Sequence, residues 1–150
     1  MKKFMFVLMA AAAIFAVACN KDNKPEDENN NQQEQEQQPQ EDPAPEGNWC
    51  LIGAIASTGN SWNADHALTA AGDVFTITNV ALTTADQFKL RLEGNWDVNR
   101  GAEGDVEPFV ITSGTALHSV QNGKNLSVPE DGNYTIKFER LTNMITITKE

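Results

Sequence analysis

Most of the side chains that carry enzymatic or metal chemistry are scarce in this 150-residue chain, which has two cysteines, two histidines and one tyrosine. His66 and His118 lie in unrelated segments, and neither has a Cys or His neighbour at metal-ligand spacing. Asp65, Asp97, Asp105 and Glu107 are scattered through loops with no EF-hand-like pattern to gather them, so no metal and no cofactor is expected. G-x-S-x-G, H-E-x-x-H and a phosphate-cradling glycine loop are all missing. The two carboxylates of a glycosidase are related in space, so sequence does not reveal them. A folded part of about a hundred residues, however, offers little depth for an enclosed active site, and no enzyme is expected. Basic residues are few as well: 11 Lys and Arg stand against 21 Asp and Glu, a net charge of −10, which argues against nucleic acid as a partner.

Only one apolar run is long. Lys2 and Lys3 precede Phe4 to Ala18, a basic head and a hydrophobic stretch too short for a comfortable membrane span, which reads as a secretory signal over residues 1–18. The run ends Ala16-Val17-Ala18-Cys19 and resembles the lipobox of bacterial lipoproteins. That resemblance implies that Cys19 is the lipidated N-terminus, held on a membrane by acyl chains without spanning it. Cys50 then stands alone in an oxidising compartment. Flanked by Trp49, Leu51 and Ile52, it reads as a small core residue, since a reactive thiol wants a basic, partly exposed setting.

Between Asn20 and Gly47 there is no large apolar residue, only Asn, Gln, Glu, Asp, Lys and Pro with one Ala and a closing Gly. Such a composition cannot offset the entropy of ordering, so residues 19–47 are expected to be a disordered acidic tether with a reach of about 30 Å. Its opening acids, Asp22 and then Glu26-Asp27-Glu28, resemble the export signals that send Bacteroidetes lipoproteins to the outer face of the outer membrane.

Helical periodicity is absent from the remainder, 48–150, where every convincing segment is strand-like. Trp49 to Ala54 is a short apolar run, Val74 to Leu82 is rich in β-branched residues, and Phe88 to Glu93 alternates. Pro108 to Thr112, Ala116 to Val120 and Asn125 to Val128 are weaker strands separated by turn residues. Tyr134 to Glu139 and Met144 to Thr148 form a C-terminal hairpin around Leu141-Thr142-Asn143. Short strands separated by turn signals predict an all-β protein, an antiparallel β-sandwich.

The most informative stretch is F-K-L-R-L-E-G-N-W-D-V-N-R-G, Phe88 to Gly101. Phe88, Leu90 and Leu92 face a core, leaving Lys89 and Arg91 on the opposite face. Gly94 ends the strand, and Trp96 follows in what reads as a polar loop among Asn95, Asp97, Asn99 and Arg100. A large ring among hydrogen-bonding groups suggests a recognition surface, although a solvated charged face accounts for Lys89 and Arg91 equally well.

The succession W-C-L-I-G-A, N-S-W-N-A-D, F-K-L-R, N-W-D-V-N-R-G, N-L-S-V-P-E-D-G-N-Y-T-I-K-F and I-T-I-T-K resembles the carbohydrate-binding modules of the SusE/SusF family. These are surface lipoproteins of Bacteroidetes starch-utilisation systems, and the likeness extends to starch-binding modules appended to pullulanases. It implies an immunoglobulin-like sandwich that binds α-glucan on two aromatic rings. Carried over by position, the rings are Trp62 and Trp96, and the polar helpers are Lys89, Arg91 and Asn99. Arg100 stands where pullulanase modules often have an aromatic residue, and the chain has room for one module where SusE and SusF carry several. The resemblance implies a non-catalytic protein on the outer membrane, holding α-glucan or a related polysaccharide beside surface transporters or glycosidases. The alternative is a docking module of the same uptake complex that does not itself bind sugar.

Overall fold

The structure, a computed structural model, describes residues 41–150. The signal segment 1–18, Cys19 and the tether through residue 40 lie outside the described residues. Twelve strands follow in order: β1 (Trp49–Ile55), β2 (Asn60–Ser61), β3 (His66–Ala67), β4 (Thr69–Ala71), β5 (Val74–Leu82), β6 (Gln87–Leu92), β7 (Asn95–Ala102), β8 (Phe109–Val110), β9 (Ala116–Gln121), β10 (Leu126–Ser127), β11 (Gly132–Glu139) and β12 (Met144–Lys149). A single 3-10 turn, Ala56–Thr58, joins β1 to β2, and no described helix is long and apolar enough to cross a membrane.

In the first sheet β1 pairs with β2 and β3 along one edge and with β6 along the other, and β6 continues to β7 and β10. The second sheet runs β4, β5, β11, β12. Strand β9 belongs to both: Ala116 to His118 pair with β12, and Ser119 to Gln121 pair with β7. All ladders are antiparallel except the two-residue pairing of β8 with β10.

Alternation builds the core between the sheets. Tyr134, Ile136 and Phe138 of β11 and Ile145 and Ile147 of β12 are buried against Trp49, Leu51, Phe88 and Leu90. The rings of Trp49 and Phe138 lie 4.7 Å apart. Strand β1 is buried on both faces. Register puts Cys50 opposite Arg91 and Ile52 opposite Lys89, on the side turned away from the main core, yet both are fully buried.

Two expectations need correction. The polar run after Gly94 is a strand, β7, and not a loop. Its sequence hides this because Asn99 and Arg100 are buried where apolar residues would be expected. The packed chain also begins earlier than Asn48. Ala44 is fully buried and its N–H donates to the Arg140 carbonyl at 3.0 Å, while Arg140 Nη1 donates to the Ala44 carbonyl at 2.8 Å. Trp49 Nε1 donates to the Pro45 carbonyl, Asn143 Nδ2 to the Asp42 carbonyl, and Arg100 Nη1 to the Glu41 carboxylate at 2.7 Å. Residues 41–47 thus form a strap tied down by backbone groups, which composition does not register.

Candidate functional site

The site grows from an irregularity between β6 and β7. Leu92 pairs with Asn95 and Arg91 with Asn99, so Trp96, Asp97 and Val98 have no counterpart on β6 and swing out as a bulge. Side chains fix its shape. Asp97 N–H donates to Asn95 Oδ1 at 2.8 Å, Gln121 Nε2 donates to the Asp97 carbonyl at 2.6 Å, and Asn99 Nδ2 donates to the Trp96 carbonyl at 2.8 Å. Asn99 Nδ2 also reaches Asn122 Oδ1 at 2.8 Å. The consequence is a Trp96 ring that is 44% exposed on a backbone with little freedom to move.

Trp62 arrives from the other side, on the segment between β2 and β3, with its N–H donating to the Gly53 carbonyl at 3.3 Å. Its φ of +66° is left-handed, an unusual setting for a bulky residue. The ring centres of Trp62 and Trp96 lie 6.1 Å apart with planes inclined by 44°. Arg91 stacks on the Trp96 ring, and Lys89 shares its face of β6, beside the buried Cys50 and Ile52 that register places across the ladder on β1.

The five residues expected to make the site come together, with different tasks. Arg91 is only 7% exposed; its guanidinium carbon lies 4.5 Å over the Trp96 ring, and its Nε and Nη2 donate to Asp65 at 2.6 and 3.0 Å. Asn99, 5% exposed, directs its amide to Trp96, Asn122 and Lys89. These two build the platform from below. Lys89 Nζ donates to Asn99 Oδ1 at 3.3 Å, one of the three donors an ammonium carries. Burial pulls its pKa below the ordinary lysine value, with Lys124 adding to the effect and Glu107 opposing it. Arg100, the departure from the pullulanase pattern, turns away from the rings to Glu41. The supporting groups Asp65, Gln121 and Asn122 went unnoticed as such in the sequence, because each meets its partner only through the fold.

Chemically, two inclined indoles offer a bent apolar surface for a ligand whose faces are C–H bonds, with charged and amide groups close to its rim. No family model matches the chain, and no curated protein does. Among solved structures, the crystal structure of SusF from Bacteroides thetaiotaomicron is similar, with a TM-score of 0.50 and 17% identity over 69% of this chain and 24% of SusF. The chain spans about a quarter of SusF's length, and the likeness is one of fold: this is a SusF-like, all-β sandwich.

Proposed function

We propose that the protein is a non-catalytic, lipid-anchored glycan-binding module on a bacterial outer membrane, holding α-glucan or a related polysaccharide. One observation carries the reading: the Trp62 and Trp96 rings, far apart in sequence, meet at 6.1 Å and 44° with Trp96 exposed. A pyranose packs its C–H face on such a ring, and the 44° inclination suits a chain that curves from one sugar to the next. The SusF-like fold, the lipobox-like leader and the acidic tether agree with surface display, where many copies would offset a weak single-site affinity on one polymer.

Isothermal titration of residues 41–150 with maltoheptaose and a panel of other oligosaccharides tests this. Trp96→Ala should weaken binding by about 30-fold, the loss of roughly 2 kcal/mol typical of an aromatic anchor. Silence towards every glycan would refute the reading and favour the docking alternative, and unchanged affinity in the variant would refute the assigned site.

A further inference from the structure

Asp65 lies three residues beyond Trp62, on the segment that joins β2 to β3. Its carboxylate accepts Arg91 Nε at 2.6 Å, Arg91 Nη2 at 3.0 Å and the Gly94 N–H at 2.8 Å. Three elements therefore converge on one side chain: the Trp62 segment, the β6 strand, and the β6–β7 turn from which the Trp96 bulge starts.

A bidentate carboxylate fixes the plane of a guanidinium as well as its position. That plane matters here because the Arg91 guanidinium lies over the Trp96 ring at 4.5 Å. The same carboxylate holds Gly94, at φ +69°, just ahead of the bulge. Asp65 thereby links the backbone that carries one ring to the surface against which the other rests.

Burial alone does not place these rings. Trp96 is 44% exposed, Trp62 is half-buried, and neither belongs to the main core cluster. Trp62 also holds a left-handed φ, a strained conformation for a bulky residue that persists only where surrounding contacts over-determine it. The Asp65 contacts, three residues along the same segment, provide such a constraint.

We infer that Asp65 is a positioning residue for the glycan site: through Arg91 and Gly94 it sets the separation and inclination of the two indoles, and with them the curvature of the chain they accept. Its relevance to glycan rests on the function proposed above, but its effect on the rings is measurable without any sugar.

Two indoles this close and inclined couple their electronic transitions, so the wild-type protein should show a paired positive and negative band in far-ultraviolet circular dichroism that Trp96→Phe removes. Asp65→Asn should at least halve that signal and weaken maltoheptaose binding about tenfold, with the main-core melting transition retained. Arg91→Lys, which keeps the charge but loses the planar fork, should do the same, and the double variant should lose no more than either single one. If Asp65→Asn unfolds the domain, Arg91→Lys alone still tests the coupling. A full paired band in either single variant, or losses that add in the double variant, overturns the inference. A band that falls as expected in a protein that binds no glycan leaves Asp65 as the organiser of the rings and rejects the proposed ligand.

Discussion

Arg140 offers the sharpest test of the strap. It follows β11 and reaches both ways: Nε and Nη2 bind Asp73 in the β4–β5 turn, and Nη1 binds the carbonyl of the buried Ala44. Arg140→Ala removes these side-chain bonds and leaves the two backbone bonds, Arg140 N–H to Asp73 and Ala44 N–H to Arg140, in place. Asp73 is nearly half exposed, so solvent screens that ion pair and it contributes only about 1 kcal/mol. The Ala44 carbonyl loses a charged donor in a buried setting, about 1.5 kcal/mol, and the arginine stem gives up packing as well. Together the loss should be about 3 kcal/mol, or roughly 12–20 °C in melting temperature for a domain of this size. Thermal unfolding of residues 41–150 followed by circular dichroism reads it directly. In a chain starting at Asn48, which lacks the Ala44 partner, the same substitution should cost about 1–1.5 kcal/mol less. A fall below about 4 °C, or the same loss in both chains, would show that the strap contributes nothing through Arg140.

Two further outcomes follow from the platform's surroundings. Burial, reinforced by the Asp65 and Glu93 carboxylates, pushes the Cys50 thiol up to about 11, so iodoacetamide at pH 8 should label the native protein about a hundredfold more slowly than the denatured one; equal rates would refute its burial. Partial burial tends to raise the Asp65 pKa, but the Arg91 and Gly94 hydrogen bonds and the Arg91 and His66 charges outweigh it and hold the group below the ordinary carboxylate value. A depressed carboxylate stabilises the fold fully above its unfolded pKa and loses that contribution as pH falls through the folded value. With Arg91, His66, Glu93 and Cys50 as its charged or titratable neighbours, the paired indole band should persist to below pH ~4 and fade only in stronger acid. Fading at pH 5 to 6 would contradict this sign.

The long strands were readable from sequence because their physics is local. Tyr134, Ile136 and Phe138 alternate towards the core, as do Phe88 and Leu90, and a period of two needs no knowledge of partners. β2, β3 and β4 have only two or three residues each, too few for any periodicity. β7 escaped for a different reason: two of its four buried positions are Asn99 and Arg100, tolerated there only because Lys89, Asn122 and Glu41 bind them. Trp96 could be picked out by residue type and polar setting, whereas Trp62 entered only through the resemblance to SusE/SusF modules. Asp65 could not, since its partners are 26 and 29 residues away and it looks like any other loop acid. The strap was missed because Ala44 and a set of backbone carbonyls do the holding, and a composition argument counts neither.

The sharing of β9 between the sheets bears on behaviour in a crowd. A strand that passes from one sheet into the other leaves no open edge along that side of the sandwich. Among the described residues the edges that remain are β2, β3, β4 and β8, each two or three residues long, the last three residues of β12 beyond β9, and the part of β5 beyond β4. In that part of β5 the ladder to β11 slips between Ile77 and Val80, Asn79 turns left-handed at φ +56°, and Ser57 Oγ covers the Ala81 carbonyl at 2.6 Å. Among the described residues no long, flat strand is left to template another copy. Molecules packed side by side on one surface at high density would therefore meet without zipping into a shared sheet.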